Sequence, residues 1–306
     1  MRRLTLLLAV WIAAALAAAP SATRPWIGVS LIERAETAPR PVRFHVVQID
    51  LSAPGVRLEV SGPAGARETV RQTTVEFLRT RGAQLAVNAH FFLPFPSDDR
   101  EAWVIGLAAS NGRVYSGFEL PEQRFALVPY APALNIDPRN RARIVHHDPR
   151  GRDGRRVRER VRLWNAVSGS AQIVTEGRVT IPRYAGPDAP DGVLVAGAGY
   201  SAERSWYEVP NARTIVGLSR DGRRLTIFVV DRAGGSEGLK VGEAAAILAD
   251  EYGVWNALNL DGGGSTSLAW ENPATGAAEF LNQPAGGPAG RAVATSLAVF
   301  ARRAPG

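Results

Sequence analysis

Apolar and polar residues alternate from Arg43 to Leu51, the two-residue period of a β-strand. From Thr69 to Arg81 the period changes: Val70, Val75 and Leu78 fall at helical spacing and Gly82 supplies a stop, which predicts a helix over 69–81. Gln84–Asn88 is a short apolar run and reads as a buried strand. Val104–Ser110, Asn111-Gly112 and Arg113–Ser116 predict a hairpin, because Asn-Gly accepts the left-handed backbone of a two-residue turn. Thr214–Ser219, Asp221-Gly222 and Arg223–Asp231 repeat that signal more strongly. Lys240–Tyr252, rich in Ala and Leu and closed by Gly253, predicts a second helix that feeds a strand over Trp255–Leu260. Ala292–Arg302 is a closing strand, and Gly186–Gly192 and Asn282–Gly290 are Pro/Gly-rich loops. There is no internal repeat. Strands outnumber helices and hairpins recur, so the predicted class is α+β with largely antiparallel sheets and a few helices.

The N-terminus adds a compartment. Met1-Arg2-Arg3 precedes an apolar run from Leu4 to Ala19, a charged and then an apolar region that predicts a signal peptide over residues 1–19. Ala15-Leu16-Ala17 offers a cleavage site after Ala17, and an uncleaved anchor is the alternative. The run is short for a spanning helix, so no stable membrane span is expected after cleavage, and the expected location is secreted or periplasmic. The chain has no cysteine, so its fold rests on its core alone, which 306 residues suffice to build.

The net charge of +7 is carried almost wholly by arginine, since Lys240 is the only lysine. Ten arginines crowd into Arg139–Arg162 against Asp148, Asp153 and Glu159. A nucleic-acid patch is one reading, but no aromatic residue interleaves with the charges to stack on bases. A solvated hairpin or insertion fits better, with no nucleic-acid partner and with attraction to an anionic polymer left open. His146-His147 within it is expected to be exposed.

The most informative stretch is Asn259–Leu268 (NLDGGGSTSL). An apolar strand delivers Asn259 and Asp261 to its end. Gly262, Gly263 and Gly264 then permit a tight turn in which successive N–H groups converge on an anion, and Ser265, Thr266 and Ser267 follow. A plain Gly-rich connection, with Asp261 bonding its own turn, is the alternative.

With five other segments this stretch resembles the phosphodiester glycosidase family, to which the catalytic domain that uncovers mannose 6-phosphate on lysosomal proteins belongs. The segments are His45–Leu51 (HVVQIDL), Ala86–Phe92 (AVNAHFF), Ala166–Gly169 (AVSG), Arg213–Gly217 (RTIVG) and Arg223–Asp231 (RRLTIFVVD), in that order. The resemblance covers Val42–Arg302 and gives the expected catalytic domain, residues 42–302. It implies an α+β fold, a secreted or lumenal location and cleavage of a sugar-1-phosphate diester at the anomeric carbon. The chain departs from the common pattern at His90, where a small residue is frequent, and over Leu93–Val104.

Roles follow from the chemistry. Ordinary glycosidases use two carboxylates, one of them an acid for the leaving oxygen. A phosphate leaving group is already a weak base, so a cationic clamp matters more than an acid. Arg213 is the first candidate clamp and Arg291 the second. Asp261 is the candidate nucleophile or base, Asp231 a second carboxylate and Glu237 a partner acid. Asn88, His90 and Asn259 are candidates to contact substrate, and Ser265 and Thr266 to bond phosphate oxygens. A catalytic serine is not expected without a GxSxG elbow. No spacing supports a metal site at His45 or His90, so no cofactor is assigned, with a divalent cation at Asp261 left open. The expected function is a secreted glycosidase acting on sugar phosphodiesters or related glycans. The alternatives are a non-catalytic carbohydrate- or polyanion-binding exported protein, and a phosphodiesterase that cuts the P–O bond.

Overall fold

The computed structural model describes residues 22–118, 126–185, 194–195 and 205–304. The predicted leader and the Gly186–Gly192 loop lie outside the described residues. Among those described, an eight-stranded sheet runs in the order Thr23–Trp26, Val29–Glu36, Val42–Asp50, Arg224–Val230, Arg213–Leu218, Asn256–Asn259, Ala171–Thr175, Arg178–Val179. A five-stranded sheet runs Ala278–Phe280, Leu268–Glu271, Leu85–Asn88, Ser296–Phe300, Arg57–Val60. A second five-stranded sheet, built around Asn165–Ser168 and Ala133–Ile136, ends in the edge strand Ala142–Val145. Among the described residues nearly all pairings are antiparallel and there are two α-helices, so the class is α+β as expected. Strands upstream of Val42 also join the large sheet.

Alternation along the central strands builds the layers. Val47, Ile49, Ile227, Val229 and Leu258 point inward to a core shared with Leu85, Val87, Leu297 and Val299 of the five-stranded sheet. Their neighbours Phe44, Val46, Phe228, Val230 and Ala257 point the other way, onto the helix α2 (Val241–Tyr252). That helix buries Val241, Ala244, Ala245 and Leu248, one stripe at i, i+3, i+4 and i+7. On the far side, Ala86, Ala269 and Ala298 face the helix α1 (Thr74–Arg81) through Phe77 and Leu78. Both sheets are therefore covered on both faces, which is why Gln84–Asn88 reads as an apolar run rather than an alternation.

Two element boundaries differ from the sequence reading. The helix predicted over 69–81 begins at Thr74, because the Thr73 hydroxyl accepts from the Glu76 N–H while the Glu76 carboxylate accepts from the Thr73 N–H. Thr69–Val70 instead pairs with Glu101–Val104. The Asn111-Gly112 turn forms with both residues at positive φ, 49° and 85°, but it joins only Ala108–Ser110 to Arg113–Ser116. Val104 belongs to the separate strand that pairs with Phe92–Leu93. The hairpin at Asp221-Gly222 holds over six residue pairs, from Arg213 opposite Val230 to Leu218 opposite Leu225.

Candidate active site

Asn256–Asn259 ends beside the start of Arg213–Leu218, with Asn259 opposite Ile215. The chain then leaves the eight-stranded sheet, turns at Gly262–Ser265 and enters the five-stranded sheet at Leu268. The glycine-rich loop is thus the crossing between the two sheets, and Asp261 stands at it. Two backbone-directed bonds pin it: the Asp261 N–H donates to the Ala89 carbonyl at 3.0 Å, and Asn88 Nδ2 donates to the Asp261 carbonyl at 2.6 Å.

A cavity of about 720 Å³ opens on this loop. Asp261, Gly262, Gly263, Gly264 and Ser265 form its floor, Phe91, Phe92, Phe95 and Trp206 give aromatic walls, and Asn211, Arg232 and Arg291 bring polar groups. Asp261 is the sole acidic side chain among the described residues that line it. Burial pushes its carboxyl up to about 7, against the opposing pull of the Ser265 hydroxyl, the Arg291 charge and the Gly262 N–H. Arg291 donates through Nη1 to Ser265 Oγ at 3.3 Å, and its guanidinium lies 4.8 Å from the centre of the Phe95 ring.

Part of the expected anion cradle is already occupied within the fold. The N–H groups of Gly263, Ser265 and Thr266 already bond to the carbonyls of Ala212, Gly262 and Gly263. Close approach is what requires glycine here. Gly263 sits at φ 58° against Trp206, and a Cβ on Gly264 would fall inside the Arg291 guanidinium. The loop is a tight floor that lets an arginine lie across it.

Several predicted residues stand behind the cavity rather than in it. Arg213 is fully buried beneath Trp206. Its guanidinium donates to the carbonyls of Leu239 (3.0 Å), Trp206 (2.7 Å) and Val209 and lies 4.8 Å from the Trp206 ring centre, while Nη1 has no partner. Burial, with the like charge of Arg232 adding to it and Glu243 opposing it, lowers its pKa to about 9. Asn88 is also fully buried: its Oδ1 accepts from Thr214 Oγ1 at 2.7 Å and from the Ser267 N–H at 3.0 Å, so its bonds brace the loop rather than reach a sugar.

His90 is buried between Thr295 Oγ1 at 2.9 Å and the Leu107 carbonyl at 3.1 Å. The carbonyl accepts from Nε2–H, and burial depresses the ring pKa to about 4, so the imidazole is neutral. Asp231 accepts from Asn282 Nδ2 at 2.9 Å and the Gln283 N–H at 3.1 Å, with His45 Nε2 at 3.4 Å from its other oxygen. It ties the two sheets together and does not line the cavity. His45 thus reaches Asp231 across 186 residues of sequence. Asn259 is buried and donates to Ser170 Oγ at 2.9 Å, and Thr266 is buried with its hydroxyl unpartnered. Glu237 is exposed on the turn before α2 and is not among the lining residues. His146 and His147 are half-buried rather than exposed, since His146 bonds Glu159 at 2.7 Å and His147 stacks on Tyr130.

The sequence reading did not single out Trp206, Asn211, Arg232 or the phenylalanines. Phe91 and Phe92 close the AVNAHFF segment, Phe95 lies in the segment Leu93–Val104, and Arg232 directly follows Asp231, so adjacency to recognised motifs is the signal that could have found them.

The cavity at the glycine-rich crossing of this α+β frame thus combines one carboxylate, two arginines and aromatic walls. Residues 81–300 match the phosphodiester glycosidase family, and the chain belongs to it. Among solved structures, it is similar to the catalytic domain of zebrafish N-acetylglucosamine-1-phosphodiester alpha-N-acetylglucosaminidase, auto-inhibited by its pro-peptide. The two share 18% identity over 94% of this chain and 87% of that one, with a TM-score of 0.61. It is also similar to a hypothetical protein of Synechocystis (17% identity, 93% of this chain and 64% of that one, TM-score 0.56). A candidate exported protein of Burkholderia pseudomallei is a third (18% identity, 87% and 75%, TM-score 0.55). No curated protein matches. At these identities the likenesses show the fold.

Proposed function

We propose that the protein is an exported glycosidase that hydrolyses the anomeric bond of a sugar-1-phosphodiester. The observation that carries this reading is the Asp261 carboxyl, raised to about 7 beside Ser265 and Arg291 in an aromatic-walled cavity. The sugar face packs on Trp206 and the phenylalanines, as aromatic rings favour. The diester phosphate meets Arg291 and Arg232, whose planar forks match its oxygens. Arg213, already committed to three carbonyls, holds the Trp206 wall. The ionised Asp261 attacks the anomeric carbon or takes the proton of the water that does. The bond from that carbon to the phosphate oxygen breaks, its electron pair leaves with the phosphate monoester, and Arg291 stabilises the growing charge; where Asp261 has bonded to the sugar, a water then displaces the carboxylate and frees it. A weakly basic leaving group needs no second carboxylate, which accords with Asp261 being alone in the lining.

Two arginines beside a single carboxylate disfavour a divalent cation, so turnover is expected to survive EDTA. Export draws support from the leader-like Met1–Ala19 segment and from the exported relative. N-terminal sequencing of the protein recovered outside the cytoplasm is expected to begin near Ala18. A panel of sugar-1-phosphodiesters, with Asp261→Asn as control, tests the chemistry in ¹⁸O water. Label entering the sugar supports the glycosidase; label in the phosphate means P–O cleavage; saturable glycan binding without turnover means a binding protein.

A further inference from the structure

A second cavity, of about 730 Å³, lies at the far end of the molecule. It is lined by the turn and edge strand that carry Arg139, Arg141 and Arg143, by Arg160 and Arg162, and by Arg223 in the turn of the large hairpin. Arg213, beside Asp261, begins that hairpin and Arg223 sits in its turn, so the two cavities stand about 20 Å apart at roughly 3.3 Å per strand residue.

Six arginines against Asp137 and Asp221 leave the lining with a net charge of +4. Asp137 is already paired with Arg141 at 2.7 Å, and Asp221 accepts from Ser219 Oγ and the Arg223 N–H. Arg139, Arg143 and Arg160 are exposed, and among the described residues their side chains make no hydrogen bond or ion pair, while Arg223, also exposed, sits near the Asp221 charge. The excess of like charges is repulsive, and an anionic ligand relieves that repulsion. The cations come from three segments of chain, Arg139–Arg143, Arg160–Arg162 and Arg223. Arg141 and Arg143 leave the same side of an extended segment about 7 Å apart, at two residues of strand rise. A spread of separated cations suits a polymer better than a single ion. Its backbone is open as well, because Ala142–Val145 is the edge of its sheet.

We propose that this groove is a docking site, separate from the catalytic cavity, for a linear phosphodiester-linked glycan. No aromatic side chain lines it, so it lacks the stacking platforms with which proteins hold single-stranded nucleic acid. Guanidinium forks alone read phosphate charge and leave the sugar unread. The choice of a sugar phosphate over other polyanions rests on the phosphodiester reading of the Asp261 cavity. The groove would hold a polymeric substrate while the distant cavity works on one of its linkages.

Binding of a linear hexose-1-phosphate polymer to the full chain tests this, with polyuridylate of equal phosphate content as competitor. The triple variant R139E/R143E/R160E is expected to bind the glycan at least tenfold more weakly and with a shallower salt dependence. Its turnover of a small sugar-1-phosphodiester should be unchanged. Arg143→Gln/Arg160→Gln, which removes charge without reversing it, should shift affinity in the same direction, and Asp261→Asn should bind the polymer normally. Undiminished glycan affinity in both groove variants overturns the proposal, as does polyuridylate outcompeting the glycan. If no sugar phosphodiester is turned over but polymer binding still depends on these arginines, the catalytic reading falls and the groove stands.

Discussion

At the scale of single residues the site turns on where each charge is solvated. Asp261 is held near 7 by burial, so it is ionised only above that pH. If its ionised form is the base or nucleophile, kcat/KM rises through an apparent pKa near 7 and falls away in acid, and Asp261→Asn removes activity at every pH. The stability effect has a definite sign. A carboxyl raised from 3.8 to about 7 binds more protons folded than unfolded between those values, so its contribution declines as pH rises across that window. Asp261→Asn should therefore raise the unfolding midpoint relative to wild type at pH 8 and leave it nearly unchanged at pH 4. The gain is at most about 4 kcal/mol, from the size of the shift.

The two arginines separate in the same way. Arg291→Ala should slow a sugar phosphodiester about 10²–10³-fold while sparing an aryl glycoside with an equally good leaving group. Arg213→Ala should slow both substrates alike and destabilise the fold, because it leaves three carbonyls, one of them fully buried, without their donor and undercuts Trp206. A selective phosphodiester defect in Arg213→Ala would return the clamp to Arg213. Sequence order suggested Arg213 because it opens a recognisable motif. Burial, which decides what a guanidinium can reach, leaves no mark in residue order.

At the scale of elements the glycine-rich crossing is the part the sequence made plainest. Local chemistry writes turns clearly, so Asn111-Gly112 and Asp221-Gly222 both form where expected, and Gly253 closes α2 at φ 63°. The start of α1 was misplaced because Val70 matches the helical period, whereas the Thr73–Glu76 capping box fixes the boundary. The purpose of the glycines was the least legible feature, since their neighbours Arg291, Trp206 and Ala212 come from distant segments. That purpose yields a contrast between two substitutions. In Gly264→Ala the new methyl meets the end of a flexible side chain, so the protein should fold while Arg291 is displaced from Ser265. Turnover of a phosphodiester should drop at least tenfold with the melting temperature nearly kept. In Gly169→Ala the methyl meets the Asn259 backbone carbonyl, which cannot swing aside, so stability should fall instead. Activity assays paired with thermal melts distinguish the two; loss of fold in Gly264→Ala would contradict the account of the loop as a floor for Arg291.

At the scale of the whole molecule the cavity lies at a seam. The eight-stranded sheet supplies Asp261, the loop before Ser296–Phe300 supplies Arg291, and the two sheets share one core. Hydrophobic pattern announced both sheets but could not say that they meet here, because pairings such as Asn88 with Ser296 span most of the chain. Asp231 is one of the ties across that seam. It ends a strand of the large sheet, and its carboxylate accepts from Asn282 and Gln283 in the loop that follows the other sheet's outer strand. Asn282 in turn accepts from the Leu268 N–H at 2.7 Å, where the chain leaves the glycine-rich loop. Removing the carboxylate leaves buried donors without an acceptor, which costs about 3 kcal/mol. Asp231→Ala should therefore lower the unfolding midpoint clearly, yet retain most of its kcat when assayed well below that midpoint. Asp261→Asn should show the opposite pattern, with kcat lost and stability unchanged at pH 4 and raised at pH 8. If Asp231→Ala instead loses kcat a hundredfold while melting like the wild type, Asp231 acts on the substrate as a second carboxylate, and its place as a tie between the sheets is refuted.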